Sequence, residues 1–177
     1  MKRTLVIVDM QRSFPTSLIP RVVEACTREV IKAKNRGDAI LLVEYEEHGT
    51  TNKAITNPIR TYSKKLRVIK PCDDGSHFIR EAIQAAGFPN KYLTFCGVNS
   101  ECCIALTVEH TSILFPETKL VIVADAVNGS TIHNDYGATY KVDTYPHRKA
   151  VLAQIKQLPA TITHVRQLTK VYGGDNK

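Results

Sequence analysis

The stretch Phe95-Cys96-Gly97-Val98-Asn99-Ser100-Glu101-Cys102-Cys103-Ile104 decides how this chain is interpreted. It is typical of a buried strand that ends at a glycine and passes directly into a helix with cysteines near its start. Unpaired backbone N–H groups and the positive end of the helix dipole favour thiolate at such a place. Because the thiolate is the nucleophilic form, the stretch predicts a reactive cysteine at the end of a strand.

Strand patterns and helix patterns alternate along the chain on both sides of this stretch. Continuous apolar runs predict strands over 5–8, 39–45, 67–70, 92–96, 119–124 and 161–165. Helical spacing of apolar residues predicts helices over 21–36, 76–87, 100–114 and 145–157, with Ser76 as an N-cap. The alternation indicates a three-layer α/β/α fold, Rossmann-like, with a mostly parallel sheet covered by helices on both faces. Its 177 residues are predicted to form a single domain, 1–177, with a long loop over 48–65 and a frayed tail over 172–177.

The composition excludes several classes of protein. Five cysteines without a C-x-x-C pair argue against a disulfide framework and a zinc knuckle. No run approaches the roughly 18 apolar residues of a membrane span, and the first apolar run stops at Asp9, so a cytoplasmic protein is predicted. The net charge is +7. No aromatic platform accompanies the basic residues, however, so we expect a solvated surface and no nucleic-acid partner.

Charged side chains follow other predicted strands at the same edge of the sheet. Asp9 follows the first strand, Lys70 ends the third and Asp125 follows the fifth. Ligands bind beyond the carboxyl ends of parallel strands, so we expect these groups to meet the cysteine there. Asp9 would accept the thiol proton, and Lys70 would lower the pKa of both groups. Cys103 would then attack a carbonyl carbon. Backbone N–H groups around Asn99 and Cys103 would bind the oxyanion.

Three motifs in this order resemble the isochorismatase-like cysteine hydrolases, which include nicotinamidases, N-carbamoylsarcosine amidases and ureidoacrylate-type amidohydrolases. Val8-Asp9-Met10-Gln11-Arg12-Ser13-Phe14 is similar to the family's V-D-x-Q-x-x-F opening. Val68-Ile69-Lys70 followed by Ser76-His77-Phe78 is similar to its lysine strand and S-x-F helix start. Gly97 to Thr107 is similar to its G-V-x-T-D-x-C-V-x-x-T pattern, and Val123-Ala124-Asp125-Ala126 to a weaker fourth motif.

The resemblance implies a catalytic triad of Cys103, Asp9 and Lys70. It selects Cys103 over Cys102, and helical geometry agrees because neighbouring side chains point about 100 degrees apart, so only one of them faces the pocket. It also implies a cis peptide bond between Val98 and Asn99. Phe14 would line the substrate pocket or pack in the core. Glu44 and His48 are candidates for contacts that recognise the substrate. The alternative is that both lie in a solvated loop without such a role.

Two departures from the family pattern affect the expected site. Metal-dependent nicotinamidases carry a D-x-H and a further histidine, whereas this chain has Glu46-Glu47-His48 and no histidine between His48 and Lys70. One carboxylate and one imidazole make a poor metal site, so we expect no catalytic metal and no cofactor. The gap between Lys70 and Ser76 is slightly longer than usual, which would reshape the pocket wall.

The sequence therefore predicts a hydrolase that cleaves a C–N bond of a small amide or ureide through an acyl-enzyme on cysteine. A nicotinamidase with an atypical metal site and a catalytically silent binding or assembly member of the fold remain the alternatives. A nucleic-acid-associated role suggested by the charge is a third. The resemblance further implies a homo-oligomer, with residues 136–145 and the C-terminal segment as candidates for its interface.

Overall fold

The computed structural model describes residues 2–131, 141–142 and 162–165. Its main sheet contains six parallel strands in the order β3-β2-β1-β4-β5-β8. The strands are β1 (Thr4–Val8), β2 (Ala39–Tyr45), β3 (Lys65–Lys70), β4 (Tyr92–Val98), β5 (Lys119–Asn128) and β8 (Ile162–Val165). A separate antiparallel pair is formed by β6 (Ser130–Thr131) and β7 (Lys141–Val142). The predicted parallel sheet is confirmed.

Helices cover both faces of this sheet. They are α1 (Pro20–Arg36), α2 (Lys53–Thr56), α3 (Ser76–Ala86) and α4 (Ala105–Leu114). Val8, Val43 and Phe95 point to the face where Ile79 of α3 and Val108 of α4 pack. The alternate strand residues pack on the other face with α1 and α2, through Ile7, Leu42, Val30 and Ile55. These two apolar clusters confirm the three-layer α/β/α architecture.

The order of the strands reverses between β1 and β4, which lie side by side at the centre of the sheet. In doubly wound sheets, the crevice outside the carboxyl ends of such a pair is where ligands bind. Asp9 directly follows β1, and the cysteine-bearing turn follows β4. The topology therefore places the segments that contain the predicted reactive groups at the switch point.

Two strands run past their predicted ends. β4 continues through Gly97 to Val98, and β5 continues to Asn128 after a register irregularity against β4. Asp125 consequently lies inside β5, and the prediction that it follows a strand end is wrong. The apolar residues after it explain the extension, since Ala126 and Val127 are buried in the core.

The start of α3 also differs from the prediction. Gly75 is the N-cap and Ser76 is the first helical residue, so Ser76 does not cap the helix. Asp74 satisfies the helix start instead, because its carboxylate accepts the Ser76 N–H at 2.8 Å and the Ser76 hydroxyl at 3.0 Å. Aspartate is as good a capping acceptor as serine, and it stands two residues earlier in the chain.

The segment over 48–65, predicted as a long loop, contains α2 and a 3₁₀ turn, Asn57–Ile59. The predicted helix over 145–157, the tail over 172–177 and most of the candidate interface over 136–145 lie outside the described residues. Within the described part of the chain, no helix has the length and apolar character needed to cross a bilayer.

Gly97 is required where β4 crosses next to the end of β1. Its φ is +126°, and a Cβ built there would stand 2.0 Å from the carbonyl oxygen of Val8. Both the backbone conformation and the clash with backbone atoms exclude a side chain. The close approach brings the cysteine-bearing turn beside Asp9.

Gly97→Ala is expected to lower the free energy of unfolding by more than about 3 kcal/mol, since backbone must move to admit the methyl group. Gly87→Ala is the matched control, because Gly87 also has a positive φ of 61° but a Cβ added to it would have no atom within 4 Å. Urea unfolding of both variants separates the clash from the backbone strain. Equal losses in the two variants would contradict the prediction.

Candidate active site

Asp9 turns the chain inward at the end of β1. It has a φ of 53°, which is unusual for a residue with a side chain, and its N–H donates to the carbonyl of Val43 on β2 at 2.9 Å. The side chain is fully buried. Aspartate tolerates the left-handed conformation better than most residues, and here that conformation accompanies a carboxylate held inside the protein.

Lys70 reaches the carboxylate of Asp9 from the edge of the sheet. It ends β3, two strands away from β1. Its Nζ lies 2.9 Å from Asp9 Oδ2, and both side chains are 0% exposed. The ammonium also donates to the carbonyls of Cys72 at 2.9 Å and Asp73 at 3.3 Å. These contacts satisfy a buried charge that would otherwise be very costly.

Cys103 brings a thiol to this ion pair. It lies in a π-helical turn, Ser100–Ile104, that precedes α4, and it is 2% exposed. Its thiol lies close enough to the carboxylate of Asp9 for that charge to raise the pKa of the thiol. It also donates to Asp73 Oδ1 at 3.6 Å. Single π turns of this kind often occur at functional sites.

Lys70 lowers the pKa of both Asp9 and Cys103, as predicted, but the net shift of each pKa is upward. A hydrogen bond with Cys102 and burial, followed by the charge of Asp9, raise the pKa of the Cys103 thiol, and Lys70 opposes this only in part. Burial also raises the pKa of Asp9 above 3.8, against the opposing effect of Lys70. Burial disfavours the anionic form of both groups, and for the thiol it adds to the effect of Cys102. The cysteine therefore rests as a thiol beside a carboxylate of increased basicity.

The thiol of Cys102 lies beside that of Cys103 and also packs against the apolar cluster under α3 and α4. The ligand atoms of Cys102, Cys103 and Asp73 all lie within 4.8 Å of one another. The two cysteines stand in a π-helical turn, which is wider than the α-helical turn that the sequence predicts. Cys102 is half-buried and Asp73 is exposed.

Asn99 lies between β4 and the π turn. The peptide bond between Val98 and Asn99 is cis, as predicted. The carbonyl of Asn99 accepts the N–H groups of Cys102 at 3.2 Å and Ile104 at 3.0 Å, and its side-chain oxygen accepts the hydroxyl of Thr16 at 2.8 Å. The segment is thus held in place by the 3₁₀ turn Pro15–Leu18 and by its own helix.

Phe14 and His48 form an aromatic wall together with Tyr45. The rings of Phe14 and His48 are stacked with centroids 4.5 Å apart, and Tyr45 meets His48 edge-on at 5.2 Å. The Nζ of Lys70 lies 4.3 Å from the centroid of the Tyr45 ring. Phe14 is half-buried and His48 is exposed, so this wall connects the buried ion pair to the surface.

Gln11 explains why the opening motif carries an amide. Its Nε2 donates to the carbonyls of Tyr45 and Gly49, both at 2.8 Å, and its Oε1 accepts the Tyr45 N–H at 2.7 Å. The buried amide therefore fixes the turn that carries His48. Thr107 has a similar role on α4, because its hydroxyl accepts the N–H of Gly75 at 2.9 Å and holds the segment after Lys70.

No model of a known protein family and no curated protein matches the sequence. Solved structures do match its fold. A nicotinamidase from Staphylococcus aureus superimposes with a TM-score of 0.70 at 14% identity, over 95% of this chain and 99% of its own. An isochorismatase from Pseudomonas putida KT2440 gives 0.69 at 15%, over 93% and 87%. The chain has the isochorismatase-like fold.

The isochorismatase-like fold is also present in the MAR1 ribonuclease from Caenorhabditis elegans. That structure superimposes with a TM-score of 0.67 at 14% identity, over 88% of this chain and 73% of its own. Proteins of this fold are therefore named for different activities. The fold by itself does not assign one to this chain.

Glu44 lies away from the buried ion pair. Its carboxylate accepts the N–H and hydroxyl of Thr51, each at 2.7 Å, and the guanidinium of Arg67. It lines a cavity of about 540 Å³ beside α2, whereas the alternate β2 residue Tyr45 lies next to Lys70. Adjacent strand residues point to opposite faces, so Glu44 does not join the predicted site residues around Cys103.

Within the part of the chain that the structure describes, no set of metal ligands is assembled around His48. Among the described residues, the set of three side chains close enough to share a metal ion is Asp73, Cys102 and Cys103. It contains neither Glu46 nor His48. The absence of a catalytic metal stays a prediction.

Sequence reasoning missed Tyr45 and Asp73. The longer segment between Lys70 and Ser76 pointed to the region of Asp73, but its side chain meets the thiol only through the fold of that segment. Tyr45 had no motif to mark it. Its position next to Lys70 follows from the register between β2 and β3, in which these two residues are paired.

Proposed function

We propose that this protein is a cysteine hydrolase that cleaves a C–N bond of a small amide or ureide without a cofactor. The observation that supports it best is the ion pair of Asp9 and Lys70, fully buried at 2.9 Å, whose two charges both act on the thiol of Cys103. A buried pair of this kind is costly to maintain for stability alone. Its position at the switch point of the sheet favours a chemical role.

In the proposed reaction, Asp9 removes the proton of Cys103 as the sulfur attacks the carbonyl carbon. The raised pKa of both groups fits a transfer within the attack rather than a preformed thiolate. The Lys70 ammonium keeps Asp9 ionised before the transfer. The protonated Asp9 then donates to the leaving amine or ammonia, and it later activates the water that hydrolyses the thioester.

The developing oxyanion is proposed to bind to backbone N–H groups of Asn99 and Cys103. The turn that carries both residues is fixed by its bonds to Thr16 and within the helix. Preorganised donors of this type stabilise a transition state by about 3 kcal/mol each. Phe14, Tyr45 and His48 are proposed to hold the planar amide against their rings.

The test is a screen of small amides and ureides for released ammonia. Nicotinamide is included because nicotinamidases share the fold. Cleavage of RNA is assayed separately, because a ribonuclease shares the fold and the net charge of this chain is +7. We expect turnover of at least one amide or ureide after treatment with a chelator. Turnover restored only by added metal would favour the nicotinamidase alternative, and RNA cleavage alone would overturn the proposal.

A further inference from the structure

The two adjacent thiols and one carboxylate at the mouth of the site form a set with its own chemistry. Cys102, Cys103 and Asp73 offer two sulfurs and one oxygen within 4.8 Å of one another. We propose that these three side chains form a binding site for one thiophilic divalent cation of the zinc and cadmium class. The binding itself does not depend on the proposed hydrolase function.

The observed separations agree with those of a tetrahedral site. Bonds of about 2.3 Å to sulfur and about 2.0 Å to oxygen at tetrahedral angles place sulfur and oxygen about 3.5 Å apart. Cys103 Sγ and Asp73 Oδ1 are 3.6 Å apart. The same bonds place two sulfurs about 3.8 Å apart, and the sulfurs of Cys102 and Cys103 lie within 4.8 Å of each other. A metal would therefore enter with small side-chain movements.

The donor set selects the class of cation. Two thiolates favour soft or borderline ions over Mg²⁺ and Ca²⁺, which prefer all-oxygen sites. Binding converts both thiols to thiolates and releases their two protons to solvent, and no electron is transferred. The two thiolates and the carboxylate carry three negative charges, of which the cation neutralises two. Water completes the fourth position.

The burial pattern provides a path for the ion. Asp73 is exposed, Cys102 is half-buried and Cys103 is buried, so the ligands extend from the surface to the interior. The other close thiol pair, Cys26 and Cys96, is fully buried on the opposite face of the sheet and is not joined by a third ligand within the described chain. Metal on Cys103 would also block its attack on a substrate, a consequence that does rest on the proposed function.

The test measures binding directly. Equilibrium dialysis of the reduced, full-length chain against Zn²⁺ or Cd²⁺ gives stoichiometry and affinity, and the ultraviolet charge-transfer absorbance of Cd²⁺ reports sulfur ligation. We expect one ion per chain with sulfur ligation. Cys102→Ser and Asp73→Asn should each weaken binding by at least about tenfold, since loss of outer-shell partners alone costs about 10–100-fold.

Cys72→Ser and Asp74→Asn are the matched controls. Cys72 is an exposed thiol and Asp74 is the neighbouring carboxylate, and neither belongs to the set of three. Their affinities should stay within about twofold of the wild-type value. The proposal would be overturned if the wild-type chain bound no metal, or if Cys102→Ser and Asp73→Asn kept the wild-type affinity. Loss of binding in Cys72→Ser would overturn it as well. If Cys102→Ser fails to fold, the exposed Asp73 still decides the result.

Discussion

Cys103→Ala is expected to abolish turnover of any substrate found in the screen, by at least about 10⁴-fold, because the proposed acyl-enzyme forms on the sulfur of Cys103. The fold should survive. The change removes one sulfur from the core side of the site and should cost only about 1 kcal/mol of stability. Initial rates with the substrate and urea unfolding of the same preparation measure both effects.

Cys72→Ser is the matched control for this variant, since it removes a thiol that is exposed and lies outside the buried ion pair. Its rate should equal that of the wild type. When the reaction is quenched in acid during turnover, an acyl group should remain on the peptide that contains Cys103. Mass spectrometry of the digested protein can locate it. Full activity of Cys103→Ala would refute the mechanism. Retained binding of a ligand without turnover by the wild type would favour the silent member of the fold.

Lys70→Met is expected to damage both stability and catalysis. It keeps the length of the buried side chain but removes the charge that faces Asp9 at 2.9 Å. An unpaired buried carboxylate costs about 3–5 kcal/mol. The rate should fall by at least about 10²-fold, because the ionised form of the proposed base is no longer stabilised.

The pH dependence of this variant has a definite sign. Lys70 lowers the pKa of Asp9, so its loss raises a pKa that burial already holds above 3.8. The folded protein then holds the Asp9 proton more tightly than the unfolded chain does. The contribution of Asp9 to the free energy of unfolding is therefore present at low pH, and it is lost as the pH rises through the pKa of Asp9 in the folded protein. Urea unfolding at about pH 5 and about pH 8 should show a larger deficit at the higher pH.

The thiol provides a second measurement on the same variant. Lys70 lowers the pKa of Cys103, so Lys70→Met should move iodoacetamide labelling of Cys103 to higher pH. Lys64→Met, the same substitution at an exposed lysine, should leave rate, stability and labelling unchanged. The double variant Asp9→Asn, Lys70→Met should recover stability but not activity. A labelling profile that does not move would argue against Lys70 as a charge that acts on the thiol.

Local sequence patterns predicted the six strands of the main sheet and the helices α1, α3 and α4. The boundaries of β2 are those that its apolar run predicts, and α1 ends at Gly37, which has a left-handed φ of 73°. Such patterns depend on neighbours three or four residues away, which the sequence displays directly. The same patterns failed at β5, where pairing with distant strands carries the chain past Asp125.

The chain order of residues alone determined a parallel sheet between helices and marked Asp9, Lys70 and Cys103 as candidates. Tertiary structure decided how their protons are held. The hydrogen bond with Cys102 together with burial raises the pKa of the thiol, and burial raises the pKa of the Asp9 carboxyl. Tertiary structure also decided that Glu44 faces away from the buried ion pair and that Asp73 and Cys102 lie beside the thiol of Cys103. Burial and electrostatic interaction depend on distances between segments far apart in the chain, and those distances exist only after folding.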